Sequence, residues 1–145
     1  MSPIKYIYEN KRYLPRVFSV DSVRSFDTKA ALLEGLGTAT LDSLSASIYL
    51  EKDDAALTSA AGPLGKARVR VVRHLADEWV VATEGPRPSV LVVTNSYNPF
   101  WRAYVDRKPA KVLPAYHAFQ AVVVPAGTHE VVLRYEPPYR FPRER

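Results

Sequence analysis

Three histidines, His74, His117 and His129, are the side chains best suited to hold a metal or move a proton near neutral pH. They lie in separate stretches with no HxH, HxxxH or Cys/His spacing, and the chain contains no cysteine. No zinc motif and no thiol chemistry can therefore be read from it. Carboxylates pair at Asp53-Asp54 and Asp77-Glu78, but general-acid work needs an apolar pocket that raises one pKa, and both pairs sit among polar, turn-forming neighbours. Ser43, Ser45 and Ser47 have no base beside them. There is no glycine-rich phosphate loop, no GxSxG elbow and no HExxH helix. The expectation is a chain with no catalytic residue, no metal site and no cofactor.

What the side chains can do is recognise. Tyr97, Trp101, Tyr104, Tyr116 and Phe119 gather near one end of the later strands. Aromatic faces of this kind stack on sugar rings, while Asn98 and Asp106 can hydrogen-bond hydroxyls. Trp101 and Tyr104, three apart on a strand, point to opposite faces, so both cannot line one site, and Trp101 and Phe119 read as core. That leaves Tyr97 and Asn98 on one bend, Tyr116 and His117 on another, and Asp106 as the candidate ligand-binding residues. Arg68, Arg70 and Arg73 could form a basic stripe for nucleic acid, but their alternation with Val69 and Val71 is what a solvated strand face looks like, and nucleic acid is not an expected partner.

The elements that must position these residues are short strands. The 145 residues, 47% of them hydrophobic, fit one domain with one real core. Leu14 to Val20 alternates as a first or edge strand with proline near its start. Asp27 or Thr28 can cap a short helix near residues 28–35, stopped by Gly35 and Gly37. Thr38–Leu41 and Ala46–Leu50 read as strands, and residues 51–66, without period, read as a mobile loop. A hairpin follows, from Ala67–Val71 to Glu78–Thr83, and then strands over Ser89–Asn95, Trp101–Val105, Ala110–Leu113, Phe119–Val124 and Glu130–Tyr135. Turn signals about every ten residues predict an antiparallel β-sandwich, jelly-roll-like, over residues 1–145, ending in a basic aromatic tail at 136–145.

The formal charge of +5 and pI near 9.5 favour anionic surfaces without the dense clustering of a nucleic-acid binder. The longest apolar runs, Val90–Val93 and Ala121–Val124, are strand-sized, far short of the roughly 20 residues of a membrane helix. The start, Met1 to Tyr6, lacks the basic and apolar regions of a signal peptide.

The segment Asn95-Ser96-Tyr97-Asn98-Pro99-Phe100-Trp101-Arg102-Ala103-Tyr104-Val105-Asp106-Arg107-Lys108 joins an apolar strand to an aromatic bend, a strand and a charged turn. Phe119-Gln120-Ala121-Val122-Val123-Val124-Pro125-Ala126-Gly127-Thr128-His129-Glu130-Val131 follows. With Leu14-Pro15-Arg16-Val17-Phe18 upstream, this ordered set resembles the C-terminal region of the YfhO family of bacterial polytopic membrane proteins. That region carries Tyr-x-Pro-Gly-Trp-x-Ala-x-Val-Asp-Gly-Lys and then Phe-x-x-Val-x-Val-Pro-Ala-Gly-x-His-x-Val. Two positions depart from it: Phe100 and Arg107 stand where the family usually has glycine, which would suit positive φ.

The resemblance implies a soluble domain on the extracytoplasmic face of the bacterial cytoplasmic membrane, part of a glycosyltransferase-like protein that uses lipid-linked sugar donors and whose catalytic acids lie in a membrane part absent here. Two roles follow. One is a non-catalytic accessory domain that recognises or positions a cell-envelope glycan or lipid-linked sugar. The other is a structural module that packs on its own membrane part or a partner, its tail drawn to anionic head groups.

Overall fold

The computed structural model describes residues 6–139. Two antiparallel sheets stack as a β-sandwich, and a small mixed α/β layer covers one of them. The first sheet holds β1 (Val17–Val20), β6 (Ser89–Val93), β10 (Phe119–Val124) and β9 (Leu113–Ala115), in the order β1-β6-β10-β9. The second holds β4 (Arg68–His74), β5 (Glu78–Gly85), β11 (Gly127–Tyr135), β7 (Trp101–Val105) and β8 (Lys108–Ala110), in the order β4-β5-β11-β7-β8.

Strand alternation divides the core in two. Leu91 and Val93 of β6 and Val122 and Val124 of β10 face the second sheet, where Trp79, Val81, Trp101, Ala103, Val131 and Leu133 meet them. Their neighbours Val90, Val92 and Ala121 face the other way, together with Phe18, Val20 and Leu113. On that side lie β2 (Ser22–Phe26) and β3 (Ser47–Glu51), a parallel pair, with α1 (Lys29–Thr38), α2 (Leu41–Ala46) and α3 (Lys52–Ser59). Leu32, Ile48, Tyr49, Leu50 and Ala55 bring this layer onto the sheet. Burying a leucine or isoleucine side chain contributes about 1.5–3 kcal/mol.

The expected short helix is α1, with Thr28 as its cap, Thr28 Oγ1 accepting the Ala31 N–H at 3.1 Å, but Gly35 and Gly37 do not stop it: the helix runs through both to Thr38, at a propensity cost of about 1 kcal/mol each. Three further local expectations are corrected, and one strand is new. Thr38–Leu41 is not a strand but the junction of two helices, because Thr40 Oγ1 accepts the Ser43 N–H at 3.2 Å and starts α2. The stretch expected as a loop at 51–66 contains α3. Asp53 and Asp54 favour its N-terminal dipole, and Ala55 and Thr58, three apart, bury one face. Ala110–Leu113 is not one strand, since β8 ends at Ala110 in the second sheet and β9 begins at Leu113 in the first. β2, unread in the sequence, pairs in parallel with β3. Of the tail at 136–145, residues 140–145 lie outside the described residues.

Gly35 admits this packing: a Cβ there would come within 2.6 Å of the Phe26 ring. The three arginines do share one face. Arg68, Arg70 and Arg73 stand opposite Glu84, Ala82 and Val80, and the odd spacing is absorbed by a register shift between Val71 and Arg73.

The two glycine departures resolve differently. β7 and β8 are joined by a two-residue turn, Asp106-Arg107, with φ of 48° and 69°, the geometry of a type I′ hairpin. Phe100 has no positive φ and its ring meets Tyr135 edge-on at 6.3 Å. The same substitution therefore has opposite signs at the two sites. Arg107→Gly should raise stability by about 0.5–1 kcal/mol by relieving the left-handed backbone. Phe100→Gly should lower it by at least about 0.5–1 kcal/mol. Urea unfolding of both variants beside the parent chain checks the pair.

Candidate ligand-binding surface

The bend before β7 is built by its own side chains. Asn98 Oδ1 accepts the Phe100 N–H at 2.9 Å and the Asn98 carbonyl accepts the Trp101 N–H at 3.1 Å, an Asx-type turn that commits the Asn98 carbonyl edge to the backbone. The Tyr97 N–H donates to Ala118 O at 2.7 Å, tying this bend to the turn between β9 and β10. Beneath it, buried Gln120 donates from Nε2 to Ser96 O at 3.0 Å.

That second turn is also left-handed: Tyr116 and His117 have φ of 49° and 67°, and Ala118 N–H closes onto Ala115 O at 3.1 Å. A tyrosine at positive φ costs free energy unless its surroundings hold it there. Here they do. Tyr116 Oη lies 2.7 Å from Leu44 O and 2.8 Å from Ser47 O, sharing one hydrogen between two carbonyls. Its ring stacks on Tyr49 at 5.8 Å and meets Phe119 edge-on at 6.3 Å. Burial drives the Tyr116 hydroxyl pKa well above that of a free tyrosine, with the neighbouring Tyr49 adding to the shift.

The five candidate residues therefore do not form one cluster. Tyr97, Asn98 and His117 share two adjoining turns, with Tyr97 and His117 exposed and Asn98 half-buried. Tyr116 belongs to the same turns but is buried at 6% exposure and anchors them from below. Asp106 lies at the far end of β7 from Tyr97. Trp101 is in the core and Tyr104 on the opposite face of β7, as their spacing requires.

Asp106 serves the β7–β8 turn. Its Oδ1 accepts the Glu130 N–H at 2.9 Å, and its Oδ2 lies 2.5 Å from His129 Nδ1. The other ring nitrogen of His129, Nε2, lies 2.8 Å from Ala126 O. Both ring nitrogens thus face acceptors, and only the imidazolium can donate to both. The Asp106 hydrogen bond and then the Ala126 carbonyl raise the His129 pKa above 6.5. The His129 hydrogen bond and then the Glu130 N–H lower that of Asp106 below 3.8.

Another cluster covers the outer face of the second sheet. Glu78 accepts from Arg134 Nε at 2.9 Å and also pairs with Arg73, and these contacts, Arg134 first, hold its carboxyl below the usual range. Tyr104 Oη donates to Glu136 at 3.0 Å. This is a charge-neutralising network, with Arg134 within 6.0 Å of the Tyr104 ring. Among the described residues no group of three or more His, Asp or Glu side chains could hold a metal ion.

Among the concavities of the described residues, one brings several hydroxyls and a guanidinium together. A groove of about 280 Å³ opens between α1, α2 and the β2–β3 pair, lined by Arg24, Phe26, Thr38, Thr40, Ser43 and Tyr49. Ser43 Oγ and Tyr49 Oη are 2.6 Å apart, and the Arg24 guanidinium stands 5.7 Å from the Tyr49 ring centre. Tyr49 links the groove to the Tyr116-His117 turn through the Tyr49–Tyr116 stack. Ser43 was visible in the sequence, but β2 and α2, which assemble the rest, were not.

The His129–Asp106 pair sets a pH dependence of stability. A raised histidine pKa contributes stability that is complete below pH 6.5 and is lost as pH rises through the folded-state value. A lowered aspartate pKa contributes stability that is present above pH 3.8 and is lost as pH falls through the folded-state value. Stability from this pair should therefore be greatest between those limits. His129→Gln should remove the decline on the alkaline side. Thermal melts from pH 4 to 9, with NMR titration of the His129 ring, check it; a ring that titrates below 6.5 contradicts it.

No helix among the described residues is long and apolar enough to cross a membrane. No curated protein and no solved structure matches the chain significantly. The family model described as bacterial membrane protein YfhO matches residues 36–141, most of the sandwich together with α2, β3 and α3. The chain belongs to the YfhO family of bacterial membrane proteins.

Proposed function

We propose that this chain is a non-catalytic accessory domain of a membrane glycosyltransferase-like protein of the YfhO family, held on the extracytoplasmic face, where it recognises or positions a cell-envelope glycan acceptor. The observation that carries this reading is the pair of adjoining turns. Tyr97 and His117 are exposed on a backbone fixed by the Tyr97–Ala118 hydrogen bond and by the anchored Tyr116 ring. A tyrosine ring and an imidazole carried on adjoining, fixed turns are suited to stacking on a sugar ring and hydrogen-bonding its hydroxyls. Preformed turns keep the ordering entropy of binding small. Asp106, at the other end of β7, is assigned to turn structure in this reading.

A second reading has its own support. At the β4–β5 hairpin Val71, Val72 and Leu75 are exposed at 42%, 50% and 51%, an apolar strip suited to packing against the membrane part of the parent protein or a partner. In this role the domain binds no ligand.

The readings separate by experiment. Titrating the chain with envelope glycans should give saturable NMR shifts at Tyr97 and His117, and Tyr97→Ala should weaken binding about tenfold. No shift at millimolar glycan would sink the first reading. For the second, Val72→Asp combined with Leu75→Asp should speed limited proteolysis between this domain and the membrane part in the parent protein. An unchanged digestion pattern counts against it.

A further inference from the structure

We infer that the groove between α1, α2 and the β2–β3 pair binds an anionic sugar, a hydroxylated ring carrying one phosphate or carboxylate. The inference rests on the glycan-positioning reading above and names a second contact point and its chemistry.

The hydrogen-bonding inventory of the groove is lopsided. Thr40 Oγ1 already accepts the Ser43 N–H, so its own hydrogen is left to donate. Ser43 and Tyr49 share one hydrogen across 2.6 Å, which leaves the other hydroxyl hydrogen available. Thr38 Oγ1 donates toward Gly35 O at 3.3 Å, so its lone pairs remain to accept. None of the ion pairs among the described residues uses Arg24, whose contact is with the face of Tyr49. The groove therefore presents two hydroxyl donors, a guanidinium with its fork of donors, and one acceptor.

A matching ligand is rich in acceptors, carries negative charge and has at least one hydroxyl to give to Thr38. A neutral sugar leaves Arg24 without a counter-charge. A bare inorganic anion pairs with Arg24 and can accept from a hydroxyl, but it brings no carbon face to the Phe26 ring. A sugar bearing a phosphate or carboxylate meets all of them, and the half-buried Phe26 ring supplies an apolar wall for its carbon face. The width of the groove is set by Gly35. Any side chain there would push against the Phe26 ring, which already lies 2.6–2.8 Å from the position a Cβ would occupy.

The test is titration of the ¹⁵N-labelled chain with glucose 6-phosphate, glucuronate, glucose and inorganic phosphate, following the amides of Gly35, Thr38 and Ser43. Saturable shifts are expected with the two charged sugars. Glucose and inorganic phosphate should each bind more weakly than either. Arg24→Gln should weaken the charged sugars about tenfold or more, as expected for a lost charge-assisted hydrogen bond. Arg24 is exposed on β2; should its replacement disturb folding, Thr38→Val is the substitute and should weaken sugar phosphate but not inorganic phosphate. The inference is overturned by absent shifts at these amides, by unchanged binding in the folded variant, or by inorganic phosphate binding as tightly as the charged sugars. Shifts at Gly35 and Ser43 with silence at Tyr97 and His117 on glycan titration would sustain the groove and remove the turns. The converse would sustain the turns and remove the groove.

Discussion

Strand β6 is buried on both faces, and the other layers are arranged around that fact. All five of its residues are buried, with Val90 and Val92 turned to the α/β layer and Leu91 and Val93 to the second sheet. A strand of this kind must be covered twice, which a two-sheet sandwich alone cannot do. The segment from β2 to α3 supplies the second cover. It also brings Tyr49 against Tyr116, so the geometry of the β9–β10 turn depends on a layer that comes from a distant part of the chain.

This dependence explains what could be read in the sequence and what could not. The sandwich was legible because its strands carry their own period and turn residues: the β4–β5 hairpin, β6, β7, β10 and β11 all lie where alternation and apolar runs put them. The α/β layer was not. α2 and α3 have only six and eight residues, less than the span over which a helical period becomes visible. β2 shows a half-buried pattern only because β3, more than twenty residues away, lies beside it.

The candidate site divides along the same line. Tyr97 and His117 on adjoining turns could be anticipated from bend residues. That Tyr116 points inward could not, because its anchors are the carbonyls of Leu44 in α2 and Ser47 at the start of β3, about seventy positions away in the chain. Asp106 and Arg107 show the reverse case. The missing glycine flagged a backbone demand, and the chain meets that demand with positive φ at both residues while Asp106 fastens the turn to β11.

The register shift in β4 matters beyond the placement of Arg73. β4 is the terminal strand of its sheet, and a terminal strand with regular spacing is a template on which a neighbouring chain can add. An extra residue between Val71 and Arg73 breaks that spacing, and charged side chains along the strand hinder an identical strand brought alongside. Two copies of this strand brought edge to edge would thus meet with mismatched backbones.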